Sequence, residues 1–369
     1  MKVLYLTNLP TPYRVDFFNA LGDLCDLTVI YERDSASDRD PRWDRHQSRS
    51  FREIYLHGIR IPPDSSLSLG ITRYLDRRFD TTVVGGYSTP TAMCAIEYLK
   101  HKRIPFLLNA DGGFVRSESD WKRAWKHHFI SAASAWITTG RASIDYLVNY
   151  GAIRDRVFLY PFAAQHRDSP YDQNPDAIRE QSRRRLGISE RRVIISVGQF
   201  IPRKGFDVLL RAAANLQSDT GIYLIGGHPT EEYISLQRQV PDAHVHFVDF
   251  KPQDQLSLYY QAADVFVLPT REDIWGLVVN EALSFGLPVI STDRCNAALE
   301  MITPEQNGLI IPANNPQALS MAIHHLLTDL DPDALRRSSL QLAQQYSIDN
   351  MARRHIEIFQ ITRRLSNES

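Results

Sequence analysis

Short apolar runs alternate with longer stretches of helical period along almost the whole chain. "KVLYLT", "DLTVIYE", "TTVVGGY", "IPFLLNADGG", "SAWITTG" and "RVFLYPF" read as strands, and helix-like segments such as "RVDFFNALGDL" and "TPTAMCAIEYLKHKR" separate several of them. From Ala164 to about Glu190 the texture turns polar. "AQHRDSPYDQNPD" suits a linker, and "AIREQSRRRLG" suits a charged helix stopped by glycine. A second series then begins, with strands "RRVIISVGQF", "GIYLIGG", "VHFVDF", "DVFVLPT", "LPVIST" and "NGLIIPA" and helices such as "DVLLRAAANL" and "PQALSMAIHHLL" between them. Strands separated by helices imply βαβ units and parallel sheets. The pattern predicts an α/β chain of two doubly wound, Rossmann-like domains. The first covers residues 1–165, the linker and second domain 166–346, and a last helix, 347–369, crosses back to the first domain. Two such domains place a ligand cleft at the carboxyl ends of their strands.

The composition fits this picture and excludes others. At 369 residues the chain is too long for one ordinary core. A net charge of −1 lacks the basic excess of a dedicated nucleic-acid binder. Cys25, Cys94 and Cys295 are far apart and in no ligand-like spacing, so neither a disulfide framework nor a zinc site is expected, and a reducing cytoplasm is the default. The N-terminus reads as a strand, not a leader, and no apolar run reaches the roughly 18 residues of a membrane span. Any membrane contact is therefore expected to be peripheral.

Two segments carry candidate chemistry. In "SVGQFIPRKGFDVLL" a strand ends at Gly198, and Arg203-Lys204-Gly205 opens a helix. Adjacent cations at a helix start suit a diphosphate, because unpaired N–H groups and the helix dipole add positive charge there. The same pair also fits a solvated turn. In "PTREDIWGLVVNEALSFGLPVIST" a buried strand ends at Pro269, and Gly276 lets backbone come close to a ligand. A helix follows, with Leu277, Val278, Leu283 and Phe285 available to the core, and the N–H groups of residues 276–278 are placed to hold phosphate oxygens. Glu272 and Asp273 fit N-cap and first-turn acids, and Glu281 fits a surface residue. They equally fit carboxylates that accept hydrogen bonds from sugar hydroxyls. Asp38 to Asp40, "DRD", sit in a polar loop away from a strand end and are discounted as a metal motif. The paired histidines 127–128, 244/246 and 324–325 form no ligand set. "WKRAWKHH" mixes tryptophan with cations; it fits a packed helix with a wet face, or a helix resting on an anionic membrane.

The second half resembles the donor-binding domain of the family 4 retaining glycosyltransferases of GT-B fold (glycosyl transferases group 1). "VGQFIPRKGFDVLL", "LIGGHP", "VHFVDFKPQDQLSLYYQAADVFVLPT" and "DIWGLVVNEALSFGLPVIST" match its motifs in order, over most of residues 190–345. The resemblance places Arg203 and Lys204 on the pair that neutralises the donor diphosphate. Glu281 falls on the acid that holds the ribose. Gly198, Gly276, Leu277 and Val278 fall on backbone beside phosphate and sugar. Trp275-Gly276 and Glu281 set a frame that puts Asp273, not Glu272, on the first acid of the E-x7-E signature, where the family usually has Glu. In the first half, the glycine-rich loop of relatives is replaced by Pro10, Pro12 and Arg14. Arg14 fits either a helix-start surface residue or a residue reaching the cleft. Asp111 resembles the position where the family places His or Asp beside the reacting sugar.

What the resemblance implies is a metal-independent, retaining transfer of a hexose-type sugar. The donor would be a nucleotide-diphosphate sugar, UDP- favoured and GDP- possible, and the acceptor a hydroxyl of a glycan or lipid-linked molecule in surface polysaccharide biosynthesis. Asp111, Asp273, Arg203 and Lys204 would carry catalysis. No cofactor or metal is expected, no nucleic acid is involved, and the protein would be cytoplasmic with possible peripheral membrane contact. A sugar-nucleotide epimerase of the same fold and a non-catalytic nucleotide-binding partner subunit are the alternatives.

Overall fold

The computed structural model describes residues 1–34, 47–62, 65–110, 113–165 and 174–367. Asp111, the Asp38–Asp40 triplet and most of the polar stretch after Ala164 lie outside these. The chain divides into two compact units, Met1–Ala163 with Ser347–Ser369, and Ala164–Tyr346.

The first unit is built on β1 (Lys2–Thr7), β2 (Asp26–Tyr31), β3 (Arg52–Tyr55), β4 (Ile59–Ile61), β5 (Ser65–Leu67), β6 (Thr81–Gly85), β7 (Leu107–Ala110), β8 (Ala135–Thr138) and β9 (Val157–Leu159). Seven of these form one parallel sheet in the order β3-β2-β1-β6-β7-β8-β9. The sequence pattern did not disclose β3 or the small antiparallel pair β4-β5. β4 is exposed throughout, β3 has no buried residue, and β5 buries only Ser66, so none leaves an apolar run to read. The last helix, Ile348–Asn367, belongs to this unit. His355 lies with its ring 4.7 Å from Phe17 and 4.5 Å from Tyr160. Arg354 donates to the Leu159 carbonyl, and Arg363 pairs with Asp80 at 2.9 Å.

The second unit carries β10 (Arg192–Val197), β11 (Thr220–Ile225), β12 (His244–Val248), β13 (Val265–Leu268), β14 (Val289–Thr292) and β15 (Gly308–Ile311). They form one parallel sheet in the order β12-β11-β10-β13-β14-β15. Helices cover both faces, so the central strands are buried throughout, which is why they read as continuous apolar runs. Five of the described α-helices open on a proline, at Pro12, Pro90, Pro175, Pro316 and Pro332. That residue lacks the N–H a first helical position cannot use. The architecture is thus two doubly wound, Rossmann-like sheets.

Candidate functional site

In the second unit the strand order reverses between β10 and β13, and such a switch point opens a crevice at the carboxyl ends of the strands. The two sequence segments that carried candidate chemistry leave from these two strands. After β10 the chain makes a 3-10 turn, Pro202–Lys204, before the helix Phe206–Ala213. Arg203 and Lys204 therefore precede the α-helix instead of opening it, which corrects the expected placement. Gly205 separates turn from helix at φ 70°, and a Cβ there would lie 2.0 Å from the Pro269 carbonyl oxygen after β13. Only glycine permits that approach.

The loops are laced together by backbone. The Arg203 carbonyl accepts from the Arg271 N–H at 2.8 Å and from Thr270 Oγ1 at 2.9 Å, and Arg203 Nη1 donates to the Glu272 carbonyl at 2.9 Å. Arg271 grips Asp207 with two parallel bonds of 2.8 and 2.7 Å and donates to Asn314 at 2.6 Å. Burial alone would raise the Asp207 carboxyl, but the bonds and charge of Arg271 outweigh it and hold it below the ordinary range. Arg271, Thr270 and Asp207 were not singled out from the sequence. Arg271 adjoins the acid pair, and its spacing to Asp207 has no linear signature.

Asp273 is 9% exposed and bonds Lys204 Nζ through Oδ2 at 2.6 Å, with Arg203 Nη1 at 3.7 Å from the same oxygen. Its N–H donates to the Arg294 carbonyl at 2.8 Å, and its carbonyl accepts from Asn296 at 3.3 Å, a one-residue parallel bridge to Cys295. The helix Leu277–Ser284 is instead capped by Gly276 at φ 95°, with no side-chain cap. The capping reading of Glu272 and Asp273 is therefore overturned. A Cβ on Gly276 would meet Cys295 Sγ at 2.7 Å. Burial, and then the Asp273 charge, push the Cys295 thiol up to about 12. Of the residues expected in the core, Leu283 is fully buried, beside Val279 and Ala282, whereas Leu277, Val278 and Phe285 are half-buried.

Glu281 accepts from the Tyr260 phenol at 2.8 Å. Tyr260 is buried and stacks on Phe285 at 5.0 Å. Burial raises the Glu281 carboxyl above its ordinary value, and the Tyr260 bond partly counters that. Glu281 is half-buried, less exposed than the surface reading expects. Its neighbour Asn280 is fully buried; it accepts from the Ala164 N–H and donates to the Tyr346 carbonyl, both at 3.0 Å, so this helix holds the residues where the chain enters and leaves the unit.

In the first unit, Arg14 is not a surface residue. It is 8% exposed and lies over the Phe162 ring at 5.6 Å. Asp111 lies outside the described residues; β7 runs up to Ala110. Glu32, at the carboxyl end of β2, is 2% exposed and accepts from Thr89 Oγ1 at 2.6 Å, where Thr89 caps the helix Pro90–His101. Burial pushes its carboxyl up to about 7. Glu32 closed a predicted strand in the sequence, and nothing there marked it as buried. Among the described residues no group of three His, Cys, Asp or Glu side chains could hold a metal ion.

Comparison with known proteins accounts for this arrangement. Anabaena HepE, solved in complex with UDP and glucose, is 16% identical, with a TM-score of 0.72 over 98% of this chain and 99% of that one. A glycosyltransferase from Rickettsia africae gives 0.74 at 14% identity, covering 98% of each chain. The two parallel-sheet domains are those of the GT-B fold. Residues 178–339 match the family "Glycosyl transferases group 1". A GDP-mannose-dependent alpha-(1-6)-phosphatidylinositol monomannoside mannosyltransferase of Mycolicibacterium smegmatis is 34% identical over 170 residues, 42% of this chain and 44% of that protein. A D-inositol 3-phosphate glycosyltransferase of Corynebacterium diphtheriae is 33% identical over 229 residues, 58% of this chain and 52% of the relative. The chain thus spans about half the length of the curated relatives it matches.

Proposed function

We propose that the protein is a retaining, metal-independent glycosyltransferase that moves a hexose-type sugar from a nucleotide-diphosphate donor to a hydroxyl of a glycan or lipid-linked acceptor. The observation that carries this reading is the convergence of Arg203, Lys204 and the Gly276-capped helix on one switch-point crevice. Two cations beside a helix N-terminus stabilise the charge that develops on a departing diphosphate. Such stabilisation leaves no role that requires a metal. Glu281 in this reading accepts hydrogen bonds from the ribose, and Gly198, Leu277 and Val278 line the phosphates and sugar. Asp111 positions the acceptor or faces positive charge on the sugar. A same-face substitution through an oxocarbenium-like transition state is what the family resemblance implies.

The Mycolicibacterium relative is named for GDP-mannose, so GDP-sugars rank beside UDP-sugars as donors. The three unpaired thiols fit a reducing cytoplasm. In the helix Asp120–Ile130, Trp121 is 67% exposed beside Lys122 and Arg123, a surface suited to peripheral contact with an anionic membrane that carries the acceptor. No described helix is long and apolar enough to cross a membrane. A role in surface polysaccharide biosynthesis follows from such an acceptor.

The test is a screen of nucleotide sugars for diphosphate release with and without a membrane extract. Release that needs the extract and persists in excess EDTA is expected. Donor conversion without acceptor would replace the transferase by an epimerase. Nucleotide binding without any product would leave a partner subunit.

A further inference from the structure

The Lys204–Asp273 pair places a fixed negative charge where the proposed reading puts the donor diphosphate. Both side chains are largely buried, 13% and 12% exposed, whereas Arg203 is 46% exposed. The two partners differ in freedom. Asp273 has a short side chain, and its backbone is held on both sides by Arg294 and Asn296. Lys204 has a four-carbon stem with more rotatable bonds, and it runs along Gly198, where a Cβ would lie 3.3 Å from its Cδ and Cε. The ammonium moves more readily than the carboxylate.

We propose that Asp273 acts as an internal counter-ion that competes with the donor diphosphate for Lys204. This rests on the reading of Arg203 and Lys204 as the diphosphate cations. An ammonium has three donors, so it can bond carboxylate and phosphate together. The two anions then repel across a partly desolvated site where charges are poorly screened. Asp273 therefore weakens the hold on any nucleoside diphosphate, including the one that transfer leaves behind. After the sugar has gone, the carboxylate recaptures Lys204 and speeds release.

Calorimetric titration of UDP and GDP, with uridine and guanosine as controls, separates the possibilities. Asp273→Asn is expected to bind the diphosphate roughly tenfold tighter, about 1.4 kcal/mol, with nucleoside binding unchanged. Asp273→Glu keeps the charge and is expected to stay within about threefold of wild type; it also controls for disturbed folding. Lys204→Ala is expected to bind the diphosphate more weakly. If Lys204→Ala weakens binding but Asp273→Asn binds equally or less well, the counter-ion role is wrong and the cation reading stands. If Lys204→Ala is unchanged, or the wild type binds neither diphosphate, the cation reading fails and the proposal with it.

Discussion

The Tyr260 phenol donates to Glu281 Oε2 at 2.8 Å, so the carboxylate that the proposed reading gives to the ribose is oriented by a buried tyrosine of the helix Gln253–Ala262. Tyr260→Phe keeps the ring and its stack on Phe285 but removes the donor. A lost hydrogen bond to a charged group is worth roughly 1.5–3 kcal/mol. The variant is expected to raise the donor KM about tenfold or more, with a smaller change in kcat. Because the Tyr260 bond lowers the Glu281 pKa, the rise in KM on acidification should begin at higher pH in the variant. A purely structural tyrosine would lower the melting temperature and leave both KM and its pH dependence unmoved.

Arg271 is predicted to be a positioning residue for the cation turn. Its fork on Asp207 and its backbone link to Arg203 fix the turn 202–204 against β13. Arg271→Ala strands a carboxylate whose side chain is only 9% exposed, although Arg211 stays 3.2 Å away. A destabilisation of about 3 kcal/mol is expected from denaturant midpoints at neutral pH. Asp207 has a depressed folded pKa, so its contribution is full above the ordinary carboxylate range and is lost as pH falls through the lowered value. The gap between wild type and variant should narrow in acid; a gap independent of pH would show that the fork is not its source.

The sheets were legible because parallel strands buried on both faces announce themselves as apolar runs, as Val193–Val197 and Val265–Leu268 do. The exposed Ile59–Ile61 has no such signature and was missed. Within the site, the motifs marked Arg203, Lys204, Asp273 and Glu281 as candidates, and the structure brings both cations to the Asp273 carboxylate. It holds Glu281 on Tyr260 instead. What the sequence concealed was each partner. Lys204 bonds Asp273 over 69 positions, Arg271 reaches Asp207 over 64, and Tyr260 meets Glu281 over 21. Such pairings depend on which strands become neighbours, and no local periodicity encodes that.

Gly276 is expected to be intolerant of a side chain for two separable reasons. Its φ of 95° disfavours any L residue, and a Cβ would press on Cys295 Sγ at 2.7 Å. Gly276→Ala should cost roughly 1–3 kcal/mol from the backbone alone, with the clash in addition. Shortening the thiol by Cys295→Ala should relieve only the clash. A double-mutant cycle in urea is therefore expected to show a favourable coupling above about 0.5 kcal/mol. Strict additivity would mean that the loop moves away from Cys295 at no cost.

Glu32 should give the opposite pH signature to Asp207. Its carboxyl is pushed up to about 7 by burial, from an ordinary value near 4.5, with the Thr89 bond and Arg33 only partly countering that. The folded protein thus holds a proton that the unfolded chain gives up. Full stability is present below the unfolded value and is lost as pH rises from there through about 7. The loss is on the order of 3 kcal/mol. Glu32→Gln keeps the shape and cannot ionise, so it should flatten this slope and make the protein more stable than wild type at pH 8 while matching it below the ordinary value near 4.5. Urea midpoints across that range decide it. A slope that survives the substitution would assign it to another group.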